Sequence, residues 1–257
     1  MQRFTILMYH MISQPGTIAE AKYACPPEQF EQHLHYLQSS HHCVVSLDEI
    51  EQHLLNDTAL PDNAVAITLD DGFEDNYTQA FPLLQKYQMP ASIFLATGLM
   101  GATNKWMQGR DFPERSMLNW QQINEMSRYQ ISFGAHTVNH AKLSELDTTA
   151  AEEEISQSKQ QVEDQLGTPC SHFAYPYGLF TEQTPKIVKN AGFTLACSTR
   201  SGFNNSKRDP LLLHRIEVYG TDPVWKLKQK MTFGMNDAAR LFPLKYYSKQ
   251  VLQRVGL

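Results

Sequence analysis

The chain has 257 residues, 42% of them hydrophobic and 19% charged, with a formal net charge of −5 at pH 7. That length suits a single α/β barrel domain and is short for two, and the apolar fraction excludes a disordered chain. No basic stripe of the kind nucleic-acid binding needs goes with this balance, so no nucleic-acid partner is expected.

Taken in chain order, the first apolar run, Phe4–Tyr9, reads as a strand ending at His10. It is too short for the apolar segment of a secretory signal, and no run approaches a membrane span. Pro27 then precedes Phe30, Leu34 and Leu37, which share one helix face. Ser46-Leu-Asp-Glu49 reads as a capping box ahead of Ile50 and Leu54. A strand over Ala64–Leu69 ends at Asp70, and Tyr77, Phe81 and Leu84 form a helical stripe in spite of Pro82. Strands follow over Ala91–Ala96 and over Ile131–Ala135, the latter ending at His136. Ile155, Val162 and Leu166 mark a helix that Gly167 terminates. The last β-rich runs are His172–Tyr175, Thr194–Ser198 and Leu211–Val218.

This alternation predicts a parallel sheet with crossover helices. His10, Asp70, His136, Tyr177 and Arg215 lie in or just after the predicted strands, and catalytic groups in such folds collect at strand C-termini. No linker divides the chain, so residues 1–220 read as a barrel domain. Residues 221–257 read as a basic helical extension packed on it, in pieces broken by Gly234 and Pro243. That extension holds seven Lys/Arg against Asp222 and Asp237, a net of +5 against about −10 for the rest. With Trp225, Phe242, Tyr246 and Tyr247 it is a candidate contact for anionic lipid or a glycan-assembly partner; solvated helix faces are the plainer reading. Cys25, Cys43, Cys170 and Cys197 show no metal-binding spacing and read as free thiols in a reducing compartment, so a cytoplasmic location is expected.

Two segments carry chemistry. Thr68-Leu-Asp-Asp-Gly72 closes a strand with adjacent carboxylates, which a glycine-assisted turn can bring into one mouth. One could then ligate a metal while its neighbour serves as a base. In His136-Thr-Val-Asn-His140 the i, i+4 spacing puts both imidazoles on one helix face, suited to chelating one ion. One carboxylate and two imidazoles leave an open position for water, as in catalytic zinc sites, and such a set also suits cobalt or nickel.

With Phe173-Ala-Tyr-Pro-Tyr-Gly178 following in order, and Trp120 in Leu118-Asn-Trp120, the chain resembles the polysaccharide deacetylases (NodB homology domain, carbohydrate esterase family four) over about residues 4–218. The resemblance implies a distorted (β/α) barrel of about seven parallel strands, here followed by the C-terminal helices, that hydrolyses N-acetyl groups from a carbohydrate substrate. It implies Asp71, His136 and His140 as ligands of a divalent metal, zinc first, and Asp70 as the general base. It also implies the Tyr177 N–H as an oxyanion donor, with Pro176 fixing that turn, and Trp120, Pro176 and Tyr177 along the substrate.

The sequence departs from the family pattern at Ala174, where relatives often carry an arginine that orients the base; Arg215 is the candidate replacement. The proton donor to the leaving amine stays open between His214, in Leu212-Leu-His214, and His10. Trp106, Trp120 and Trp225 offer faces that suit either a sugar or the core. Two other functions remain: an amidohydrolase acting on a small non-sugar amide, and a non-catalytic glycan-binding or assembly protein.

Overall fold

The computed structural model describes residues 2–239 and Phe242. Nine strands occur in it: β1 (Arg3–Tyr9), β2 (Cys43–Val44), β3 (Ala64–Leu69), β4 (Ala91–Leu95), β5 (Ile131–Ala135), β6 (His172–Ala174), β7 (Leu195–Cys197), β8 (Asn204–Asn205) and β9 (Ile216–Glu217). Strands β1, β3, β4, β5, β6 and β7 are parallel neighbours in the order β7-β6-β5-β4-β3-β1. The gap between the two ends is spanned by the 213–217 segment, since Leu213 bridges Cys197 and β9 pairs with β1 at Leu7↔Ile216. Seven parallel segments thus form a distorted barrel. Strand β2 lies beside the start of β3, and β8 pairs antiparallel with the start of β1.

Helices α1 (Pro27–Ser39), α2 (Leu47–Asn56), α3 (Phe81–Tyr87), α4 (Trp120–Met126), α5 (Thr148–Leu166), α6 (Thr184–Asn190) and α7 (Val224–Phe233) complete the elements. Among the described residues, no helix is long and apolar enough to cross a membrane. Both halves of the Ser46/Glu49 capping box are present at α2, and α5 ends on left-handed Gly167. Pro82 sits near the start of α3, within a helical run that begins with a wide π turn over Asn76–Ala80, closed by the Phe81 N–H on the Asn76 carbonyl, so the chain accommodates the proline where the helix changes pitch. The expected strand over Leu211–Val218 is shorter, because Asp209 caps the Leu211 N–H at 2.9 Å and Pro210 opens a 3-10 turn, leaving only Ile216–Glu217 as strand.

The period of two along each strand splits the core. Leu7 and Tyr9, Val65, Ile67 and Leu69, and Phe173 and Tyr175 face the outer helices. Phe4 and Ile6, Ala64 and Ala66, Phe94, Ala174, Cys197 and Leu213 fill the barrel, together with Leu47 and Ile50 of α2. Gly134 belongs to the inner set: a Cβ there would stand 2.6 Å from the Phe94 ring and 2.7 Å from the His172 carbonyl. Strands buried on both faces are therefore continuous apolar runs, as in Ala-Val-Ala-Ile-Thr-Leu of β3.

The C-terminal extension corrects one expectation. Lys230 is buried and pairs with Asp222, so it belongs to no basic surface. Its ammonium also donates to the Glu217 carbonyl at 2.9 Å and lies 3.6 Å from the Tyr219 ring centroid. Arg240, Lys245, Tyr246, Tyr247, Lys249 and Arg254 lie outside the described residues. The four cysteines are free, three of them buried and Cys43 exposed.

Candidate active site

The inward parity of the strands carries the site. Continuing from Ala64, Ala66 and Thr68, the next inward position after β3 is Asp70; after β5 it is His136, and after Leu213 it is Arg215. All three are buried at the C-terminal mouth of the barrel. Asp71 would face outward by the same parity. Left-handed backbone at Asp71 (φ 79°) and Gly72 (φ 83°) turns it back into the mouth.

Arg215, fully buried, donates to both oxygens of Asp70, Nη1 to Oδ1 at 2.6 Å and Nη2 to Oδ2 at 2.7 Å. Its Nε donates to the Ser198 carbonyl at 3.0 Å, and Nη1 also reaches Thr68 Oγ1 at 3.2 Å. This guanidinium arrives from the segment beside β7, whereas Ala174 is a buried residue of the barrel interior. Burial alone would push Asp70 up; Arg215 and then His136 outweigh it and hold the carboxyl below its ordinary value.

Beside it, Asp71 Oδ1 lies 3.4 Å from His136 Nε2 and 3.1 Å from His140 Nε2, all three residues buried. Bonds of about 2.0–2.1 Å to one tetrahedral ion would hold such atoms about 3.3 Å apart, so the donor set fits a divalent metal. His136 Nδ1 lies 2.7 Å from the Ala174 carbonyl, an acceptor that keeps the proton on Nδ1 and the Nε2 lone pair free. Burial raises Asp71, but His140 and His136 bring it well below the usual carboxylate range. Burial lowers His140 in spite of Asp71, favouring the neutral, ligating imidazole.

The helix-face reading of His136 and His140 is corrected. Residues 136–140 are an irregular loop in which Thr137 (φ 63°) and His140 (φ 54°) are left-handed, and this turn rather than helical spacing brings the rings to 4.9 Å between centroids.

A cleft of about 470 Å³ opens over these groups, lined also by His10, Tyr23, Trp106, Phe112 and Tyr177. Trp106 lies 4.7 Å from the His140 ring and Tyr177 4.5 Å. Tyr177 is left-handed (φ 58°), as is Gly178, whose Cβ position would fall 1.9 Å from Thr199 Oγ1.

Of the residues expected at the site, Arg215 reaches the cleft only through Asp70, and three others do not line it. His214 has outward parity between inward Leu213 and Arg215: its ring packs on Gly202, and its backbone pairs with the Asn204 side chain. Burial, Arg208 and Arg200 all lower its pKa, which disfavours an acid there. Trp120 opens α4 behind an Asn119/Gln122 capping box and packs against the outer core. Pro176 is buried under the Tyr177 turn that it starts. The aromatic wall of Tyr23, Trp106 and Phe112 is not legible beyond Trp106 as a candidate, since Tyr23 lies far from the other two in the chain and no spacing links them.

Residues 57–196 match the family model for polysaccharide deacetylase. The relative YxkH of Bacillus subtilis, named for the same family, is 29% identical over 216 residues, which cover 84% of this chain and 71% of that one. The poly-beta-1,6-N-acetyl-D-glucosamine N-deacetylase of Staphylococcus aureus is 26% identical over 179 residues, covering 66% of this chain and 59% of that enzyme. Among solved structures, the Streptococcus pyogenes deacetylase PplD in complex with acetate superposes with a TM-score of 0.77 at 28% identity, covering 89% of this chain and 98% of that one. IcaB from Ammonifex degensii gives 0.71 at 28% identity, covering 85% and 92%.

Proposed function

The chain belongs to the polysaccharide deacetylase family, and from that premise we propose that it is a metal-dependent hydrolase removing N-acetyl groups from an N-acetylglucosamine-containing glycan. One observation carries this reading: an arginine-clamped carboxylate, Asp70, stands beside the Asp71, His136 and His140 donor set in a single aromatic-walled cleft.

Asp71, His136 and His140 would hold the ion, zinc first, with cobalt or nickel compatible with the same donors. When bound, that ion would supply Lewis acidity, lowering the pKa of water so that a hydroxide nucleophile is available at neutral pH and polarising the acyl oxygen. The rest falls to this chain's own residues. Asp70, kept ionised by Arg215, is a weak base, matched to taking a proton from acidified water rather than from bulk water. The backbone N–H of Tyr177 is the proposed donor to the developing oxyanion. His10 lines the cleft and is its one histidine outside the Asp71 set, so it is the proposed proton donor to the leaving amine in place of His214. Trp106, Tyr23 and Phe112 offer apolar faces to the C–H groups of a sugar ring.

The proposed substrate class is supported by the S. aureus relative, whose name specifies a β-1,6-linked polymer. A cytoplasmic location, as expected from the sequence, would place the enzyme on a precursor of such a glycan; cell fractionation checks it. The test of function is acetate release from β-1,6- and β-1,4-linked N-acetylglucosamine oligomers. Release abolished by chelator and by Asp70→Asn is expected. Release unaffected by either, or turnover only of small non-sugar amides, overturns the proposal.

A further inference from the structure

The two imidazoles facing Asp71 are held by different means. His136 has its Nδ1 against the Ala174 carbonyl at 2.7 Å, the hydrogen bond by which a ligating histidine is normally aimed. His140 has none: its Nδ1 is buried without a hydrogen-bond partner among the described residues, between the rings of Trp106 and Tyr177. Rings stop it tilting but do not set where its backbone sits, and that backbone is strained. Thr137, a β-branched residue, and His140 itself are both left-handed, a conformation that L side chains resist.

One side chain outside the cleft opposes that strain. Glu154, in the second turn of α5, accepts the backbone N–H groups of Val138 and Asn139 on the same Oε2, both at 2.9 Å. Its Oε1 accepts the Asn139 side-chain amide at 2.6 Å. Both oxygens are therefore used on Val138 and Asn139, two of the three residues that separate the two histidines. From the other side the loop meets the turn after β4. There the Thr97 and Gly98 N–H groups donate to the Thr137 and Val138 carbonyls at 3.1 and 2.9 Å, and a Cβ on Gly98 would stand 2.7 Å from the Val138 side chain.

We propose that Glu154 is a positioning residue for the metal set: it replaces, through the loop backbone, the hydrogen bond that the His140 ring lacks. The inference rests on reading Asp71, His136 and His140 as metal ligands. Glu154 touches neither the cleft nor the donor atoms, so its effect passes through the loop backbone, and chiefly to His140, since the His136 ring has its own hydrogen bond to the Ala174 carbonyl.

The test uses the full chain, stripped of metal, with Glu154→Gln, Glu154→Ala and the exposed neighbour Glu153→Gln as control. Zn²⁺ affinity is measured by competition with a chromophoric chelator, and the Co²⁺-loaded absorption spectrum reports donor geometry. Glu154→Gln is expected to weaken Zn²⁺ binding about 10- to 100-fold, the range for losing an outer partner of a ligand. A changed Co²⁺ spectrum should accompany it, with the metal-free melting temperature close to wild type and Glu153→Gln unchanged. Activity of Glu154→Gln should return as Zn²⁺ is raised. Equal Zn²⁺ affinity and identical spectra for wild type and both Glu154 variants overturn the proposal while leaving the site reading intact. Affinity that falls only as far as the metal-free protein itself unfolds also overturns it. A wild-type chain that binds no Zn²⁺ overturns the site reading and this inference with it.

Discussion

Replacing Arg215 with methionine isolates the pair on which the proposed base depends. The guanidinium is fully buried and makes four hydrogen bonds, two of them to Asp70 at 2.6 and 2.7 Å. Methionine fills much of the same space but leaves the Asp70 carboxylate buried without its counter-charge, a change that costs about 3–5 kcal/mol. The Ser198 carbonyl loses a donor as well, adding about 1 kcal/mol. In a domain of this size the sum lowers the melting temperature by roughly 8–24 °C.

The pH dependence fixes the cause. In the wild type Asp70 lies below its ordinary value, so the pair's stabilisation is complete above an unfolded pKa of about 4 and is lost as pH falls through the lower folded value. In Arg215→Met the burial that Arg215 outweighed raises Asp70 instead, and the penalty is relieved as pH falls and the carboxyl takes up a proton. Urea denaturation should therefore show the largest gap between the two proteins at neutral pH, closing toward pH of about 4. Adding Asp70→Asn to Arg215→Met should recover most of the lost stability and none of the activity. Acetate release by Arg215→Met itself should fall about 100-fold or more, because the base is no longer aimed. A loss below about 1 kcal/mol at neutral pH, or one equal at every pH, would refute the account of Asp70 as a buried carboxylate held ionised by this arginine.

Asp75 gives the opposite pH signature. It accepts the Ile12 N–H at 3.0 Å, yet burial pushes it up to about 6. The folded chain thus holds that proton more tightly than the unfolded one, so stability is full below about pH 4, falls as pH rises to about 6 and is flat above. Asp75→Asn should remove that slope and raise neutral-pH stability by on the order of 2 kcal/mol; a slope that persists in melting curves of the variant assigns it elsewhere. Gly178→Ala places a methyl 1.9 Å from Thr199 Oγ1 at a φ of 67°, and a loss of about 2–3 kcal/mol is expected, partly recovered by adding Thr199→Ala. An unchanged denaturation midpoint would show that the Tyr177 turn tolerates what its geometry forbids. Trp106→Ala should raise KM for N-acetylglucosamine oligomers about tenfold, the effect of one lost stacking face. Collapse of kcat with KM unchanged would instead make Trp106 a support for His140.

Which parts of the site were legible in the sequence follows from where each residue gets its direction. Asp70 and His136 end long apolar strands, so the period of two that buries Ala66 and Phe133 on opposite faces also aims the residue after the strand. The same parity separates Arg215 from His214, but it could not be read from Leu211–Val218 taken as one strand. The strand breaks at the 3-10 turn after Asp209, and only the Leu213 bridge to Cys197 sets which residue faces in. The convergence of Asp71, His136 and His140 depends on left-handed backbone at Asp71, Thr137 and His140; Asp and His adopt it only in particular turns and Thr resists it, so residue type alone does not announce it. Trp120 was drawn out of the substrate path by a local signal, its own capping box, whereas Trp106 reaches His140 through an irregular wall. That wall is tied to the opposite loop by the Arg115–Glu20 pair, 95 residues apart in the chain. Directions set by a strand's own alternation are local and survive in the sequence. Those set by a partner on another element, as Glu154 of α5 holds the Val138 and Asn139 backbone, exist only once both elements are packed. Asp70 and His136 were therefore readable before the walls that surround them.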